Sequence, residues 1–134
     1  VAYAVQLIVP PNTLESSPVS AVIPVPSIKV TEVSLLMPEG CVGLVAAWFE
    51  YQSVQIWPYN SQDRFRGNGY PIVFRPNLEF TEEPLNITLF AFSTDDTFTH
   101  TLYLTMDVDF LKAKGTIDLL EQLTALGPAL LEGR

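Results

Sequence analysis

His100 is the only histidine of the chain and Cys41 the only cysteine. Placed side by side, with a group that stabilised the thiolate, they would make a nucleophilic dyad. Two acid pairs are the other candidates for chemistry. Asp95-Asp96 lies in a run of turn-formers, while Asp107 and Asp109 share one face of a strand because they are two apart. Carboxylates about 5–10 Å apart across a cleft hydrolyse glycosides, and about six to eight converging oxygens bind calcium.

Each group also has a simpler account. Cys41 reads as a buried, inert thiol and His100 as a loop-flanking side chain in a structural hydrogen bond. Asp95-Asp96 reads as a solvated turn, and Asp107 and Asp109 as a solvated strand face. They belong to separate turns and strands, so their spacing does not force convergence. One histidine and one cysteine cannot complete a zinc site of the usual kinds. The chain has no D-x-[DN]-x-[DN]-G calcium loop, Gly-rich phosphate loop, G-x-S-x-G or H-E-x-x-H. Asn86-Ile87-Thr88 fits a glycosylation sequon, but it falls inside an expected strand. These residues point to a protein that is not an enzyme, with no catalytic residue, metal or cofactor.

The composition narrows the partners. The 134 residues are the size of one domain, and 48% are apolar, enough for a core. Fifteen acids against seven bases give a net charge of −8, which repels a polyanion, so nucleic acid is not expected as a partner. The one close basic pair, Arg64 and Arg66, has Asp63 beside it. A single cysteine forms no intrachain disulfide. No apolar run reaches the length of a membrane span, and residues 1–11 carry no basic region of a signal peptide. No membrane partner is expected.

The elements that must position these residues read as strands. Residues 1–9 are apolar and β-branched. Residues 10–26 carry Pro10, Pro11, Pro18, Pro24 and Pro26, so they read as an extended arm that pairs poorly within the domain's own sheets. Its apolar residues Val19, Val22, Ile23 and Val25 are expected to lie on a partner. In residues 28–37 the phase of Ile28 and Val30 differs from that of Val33, Leu35 and Met37, which predicts a bulge near Thr31-Glu32. Pro38-Glu39-Gly40 predicts a tight turn. Residues 41–51 predict a strand covered on both faces, and 53–57 another that stops at Pro58. Residues 58–70 are the main loop. Strands resume at 71–75, 78–81, 85–92 and 98–110, around a hairpin loop at 93–97. In the last strand Leu102, Leu104, Met106, Val108 and Phe110 face in, and Thr101, Tyr103, Thr105, Asp107 and Asp109 face out. The expected core is Leu35, Leu44, Val45, Trp48, Ile87, Leu89, Leu102, Leu104, Met106 and Val108. After Gly115, Thr116 caps a predicted helix with Ile117, Leu120, Leu123 and Leu126 on one stripe.

The expected fold is therefore all-β: an antiparallel β-sandwich, jelly-roll-like, with a Pro-rich N-terminal arm and a short C-terminal helix. Its divisions are a strand and arm at 1–26, the sandwich at 27–110, and the helix and tail at 111–134. Trp48, Tyr51, Trp57, Tyr59, Phe65 and Tyr70 cluster around one strand pair and its loop. Such aromatics would anchor a protein partner, or stack sugars in a monomeric carbohydrate-binding or adhesion module. The candidate contact residues are Val19, Val22, Ile23, Val25, Trp57, Tyr59, Phe65, Leu120 and Leu123.

Three stretches together carry a resemblance: Pro38-Glu39-Gly40-Cys41-Val42-Gly43-Leu44-Val45, Gln55-Ile56-Trp57-Pro58, and Leu85-Asn86-Ile87-Thr88-Leu89 leading to Asp95-Asp96-Thr97-Phe98-Thr99-His100. Over roughly residues 28–109 the pattern resembles small β-sandwich proteins encoded among the virion genes of tailed phages. The resemblance implies a virion structural protein of the capsid-decoration type, assembled in the host cytoplasm. It would bind other virion proteins such as the major capsid protein. A homo-oligomer is expected, with a trimer favoured.

Overall fold

The computed structural model describes residues 2–82 and 85–111. Its nine strands are β1 (Ala2–Val9), β2 (Val19–Pro24), β3 (Ile28–Leu36), β4 (Val45–Tyr51), β5 (Val54–Trp57), β6 (Pro71–Phe74), β7 (Leu78–Phe80), β8 (Asn86–Ser93) and β9 (His100–Phe110). One sheet has the order β1-β9-β3-β6, with β7 also paired to β3, and the other has the order β2-β8-β4-β5. Every pairing is antiparallel. The pairs are nested: β4 with β5, β3 with β6, β2 with β8 and β1 with β9. The chain is thus one long antiparallel ribbon, folded at the β4–β5 turn and rolled into two facing sheets, which makes it a jelly roll.

Alternation explains most of the registry. In β9, Leu102, Leu104, Met106 and Val108 are buried while Tyr103, Thr105, Asp107 and Asp109 are exposed. Phe110 breaks the series and is 52% exposed. It is the last residue of β9, and among the described residues its cross-strand partner is Ile28 of β3. The predicted bulge is present: the β3–β9 register shifts between Val30 and Glu32, so Ile28, Val30, Val33, Leu35 and Met37 are all fully buried despite their change of phase.

Two sequence expectations need correction, and a third is not tested. The prolines of residues 10–26 do not keep this stretch out of the sheet, because Val19–Pro24 is β2 and pairs with β8 from Val19↔Ala91 to Pro24↔Asn86. An edge strand tolerates proline, since one side of its backbone needs no partner. Ile23 and Val25 enter the domain's own core, where Val19 also packs half-buried. Residues 41–44 are a turn, not a strand. Leu44 N–H donates to the Cys41 carbonyl at 2.7 Å, and Val42 and Gly43 both have positive φ. Leu44 is therefore partly exposed rather than part of the core. The predicted C-terminal helix, with Leu120 and Leu123, lies outside the described residues.

Strand β4 is covered on both faces, as its apolar run requires. Phe49 points into the sandwich, where its ring meets Trp57 and Phe65 edge-on at 5.4 and 6.1 Å. Trp48 points out of the sandwich yet is also buried. It stacks on Phe90 at 5.4 Å and tilts against Phe92. The returning loop covers this outer cluster. Phe65 bridges to Ala47, so Phe65 faces in while Arg64 and Arg66 face out over the aromatics. The Arg64 guanidinium lies 4.1 Å from the Trp48 ring centroid and donates to Gln55 Oε1 at 2.8 Å. The basic pair is a lid on an aromatic cluster.

Candidate functional site

Asp95 and His100 meet, and the Asp95 charge reaches the Cys41 thiol and restrains it. Asp95 is buried, not solvated as the sequence predicts. Its Oδ2 pairs with His100 Nε2 at 2.7 Å, and its Oδ1 accepts from the Thr97 and Phe98 N–H groups at 2.9 and 3.3 Å. The bond to His100, then those N–H groups, hold the Asp95 carboxyl below the usual carboxylate range, against an opposing effect of burial. Cys41 lies close enough to feel this carboxylate. Burial first, then the Asp95 charge, pushes its thiol up, which disfavours the thiolate a nucleophile needs. Among the described residues no group of three or more His, Cys, Asp or Glu gathers to hold a metal ion. Likewise, no helix among them is long and apolar enough to cross a membrane.

The Asp95 clamp gives a pH prediction. A carboxylate whose folded pKa is lowered contributes stability that is present above its unfolded pKa and lost as pH falls through the folded value. The melting temperature is therefore expected to fall below about pH 4. Asp95→Asn should lower it at neutral pH and flatten that acid limb. An unchanged acid limb in the variant would show that the clamp is not its source.

The expected contact residues do not form one surface. Ile23, Val25 and Trp57 are buried, Val19 and Phe65 are half-buried against the core, and only Val22 and Tyr59 of those described are well exposed. The six clustered aromatics likewise divide between the outer cluster (Trp48), the core (Tyr51, Trp57, Phe65) and the surface (Tyr59, Tyr70). The Trp57 ring is 7% exposed and met edge-on by Phe49, Phe74 and Phe80, so it has no open face for a sugar to stack on. It does form a wall of an open groove of about 450 Å³, with Ile56, Tyr59, Phe74, Pro76 and Leu78. Arg75, the charged residue of that lining, is paired with Glu32 at 2.7 Å.

A second surface was not expected. The loops β1–β2, β3–β4, β5–β6 and β8–β9 all emerge at one end of the jelly roll. Leu14, Val42, Tyr70 and Phe98, each 63–65% exposed, are carried on these loops together with the partly exposed Leu44. Backbone bonds tie the loops into a ring. Asn12 N–H donates to the Asp95 carbonyl at 2.8 Å, Ser93 N–H to Thr13 at 3.0 Å and Thr94 N–H to Leu44 at 2.9 Å. Asn68 Oδ1 accepts from Gly40 N–H at 2.8 Å, and Arg66 donates to the Gly43 carbonyl at 2.8 Å. The Asp95–His100 pair sits within this ring and fixes the β8–β9 loop. The sequence signal was available: apolar residues inside the turn-forming runs PEGCVGL and STDDTF.

Val42 is held at φ 47°, a left-handed conformation that a β-branched residue adopts only under constraint. The strain is of order 1–3 kcal/mol. Val42→Gly is expected to raise stability by about 1 kcal/mol, the strain relieved less the entropy cost of glycine. Chemical denaturation checks this, and a destabilised variant would show that Val42 contributes packing its exposure does not reveal.

Compared with known proteins, the chain matches no family model, no curated protein and no solved structure.

Proposed function

We propose that the chain is a non-enzymatic assembly protein, a capsid-decoration subunit of a tailed-phage virion, and that it works by protein–protein contact. In this reading the loop end of the jelly roll docks on a neighbouring virion protein, the major capsid protein or its equivalent. The observation that carries it is the crown of Leu14, Val42, Leu44, Tyr70 and Phe98, exposed on loops that hydrogen bonds hold rigid. Apolar side chains fixed in advance lose little entropy on docking. Paired strain and exposure at Val42 fit a residue kept for contact rather than for stability. The jelly roll supports the reading by analogy alone, since capsid subunits and lectins both use it.

The apolar groove beside Trp57 favours a protein side chain over a sugar, because its polar lining is confined to the paired Arg75 and the rim of Tyr59. Cosedimentation with undecorated shells of the virus whose genome encodes the chain tests the proposal. Saturable binding at a fixed number of copies per shell is expected. Absence of binding to shells, with binding on a glycan array that Tyr59→Ala abolishes, would replace it with the carbohydrate-binding reading.

A further inference from the structure

Five strands lie at the sheet edges, and four of them are defended against pairing with another chain. β2 ends in Pro24 and follows Pro18. β5 has four residues, bounded by Gln52 and Ser53 at positive φ and by Pro58, with a register shift opposite it at Phe49/Glu50. β6 has four residues and begins with Pro71, and β7 has three. Short strands, prolines and bulges are how proteins blunt an edge.

β1 is longer and has none of these within it, the nearest prolines being Pro10 and Pro11 just after its end. Its eight residues, Ala-Tyr-Ala-Val-Gln-Leu-Ile-Val, hold no charge and no proline, and their pairing with β9 runs without a bulge. Among the described residues nothing pairs with its outer side. Tyr3 and Val5 point toward the core yet remain half-buried at this side of the sandwich.

We propose that β1 pairs antiparallel with β1 of a second copy, joining the two β1-β9-β3-β6 sheets across a two-fold axis. The strand is self-complementary. Antiparallel pairing about Val5 sets Tyr3 opposite Leu7 and Val5 opposite Val5 on the core side, and Ala4 opposite Gln6 on the outer side. Pairing about Gln6 sets Tyr3 opposite Val9 and Val5 opposite Leu7. Either register keeps core-side residues together and opposes no like charges. In a chain of net charge −8, a charge-free edge is where two copies approach at least electrostatic cost. The open backbone donors and acceptors of one edge then satisfy those of the other. Such pairing is two-fold and gives a dimer, in place of the three-fold assembly favoured from the sequence.

The test is native sizing by light scattering over a concentration series, with hydrogen exchange on the same samples. The full chain should weigh about twice 14.9 kDa, with slow exchange throughout β1. Ala4→Lys/Gln6→Lys places like charges opposite each other in either register, at exposed positions that leave the core untouched. It should give a monomer in which the β1 amides not bonded to β9 exchange rapidly and the melting temperature no longer rises with concentration. Ser20→Lys/Asn86→Lys adds the same charge to the outer face of the other sheet and should leave the dimer intact. A wild-type monomer, or an assembly that the β1 lysines leave unchanged, would overturn the proposal. A monomer with slow β1 exchange would do so too, by showing that the chain covers its own edge. Shell binding by the monomeric variant separates this proposal from the preceding one, since the crown does not include β1.

Discussion

Phe49→Ala and Trp48→Ala are each expected to destabilise the domain by about 3–5 kcal/mol, although adjacent strand residues point to opposite faces. Phe49 is fully buried in the sandwich and touches Trp57 and Phe65. Trp48 is buried outside it, between Phe90 and the Arg64 guanidinium, and its indole N–H donates to Glu50 Oε2 at 2.8 Å. Strand β9 should behave differently, because its outer face is open. Leu104→Ala should cost about 2–5 kcal/mol, and Tyr103→Ala clearly less. Urea denaturation of the four variants measures the contrast. A small loss for Trp48→Ala would mean that the loop of Arg64 and Arg66 does not keep the outer cluster dry.

Much of this architecture was legible in the sequence because it follows local rules. The alternation of β9, the apolar run of β4 and the phase break in β3 each reflect how a strand presents its side chains. The misses share a cause: the meaning of a residue there depended on its neighbours in space. Pro24 reads as a strand breaker until β2 is seen to be an edge. Val19, Ala21 and Ile23 already alternated with Ser20, Val22 and Pro24, but the prolines masked that pattern. The break between β4 and β5 was read at Gln52, but its tight turn was not, since Gln52 and Ser53 take positive φ without the asparagine or glycine that usually signals it. Asp95 resembles any turn acid in sequence; His100, five residues on, makes it a buried clamp. The crown was hidden by the habit of reading loops as polar, and no local rule says that four loops share one end.

Substituting the crown is expected to have the largest functional effect. Leu14→Ser, Val42→Ser and Phe98→Ser together should weaken docking by at least about 100-fold, the loss of a single interface hot spot of about 2–3 kcal/mol or more. All three side chains are largely exposed, so the melting temperature should change little. Tyr59→Ala/Leu78→Ser, at the groove beside Trp57, should leave shell affinity within about threefold if the crown is the docking surface. The opposite ranking would transfer the role to the groove, where the aromatic candidates Trp57 and Tyr59 lie. A melting-temperature collapse in the crown variant would mean that these side chains support the loops rather than a partner.

Docking through the loop end is tested most directly by hydrogen exchange of the chain free and bound to undecorated shells. Binding should slow the amides of residues 12–14, 41–44 and 95–98 and leave those bordering the groove at 56–59 and 74–78 unchanged. Bound chain with loop amides that exchange as in the free state, and protection confined to the groove, would contradict the account.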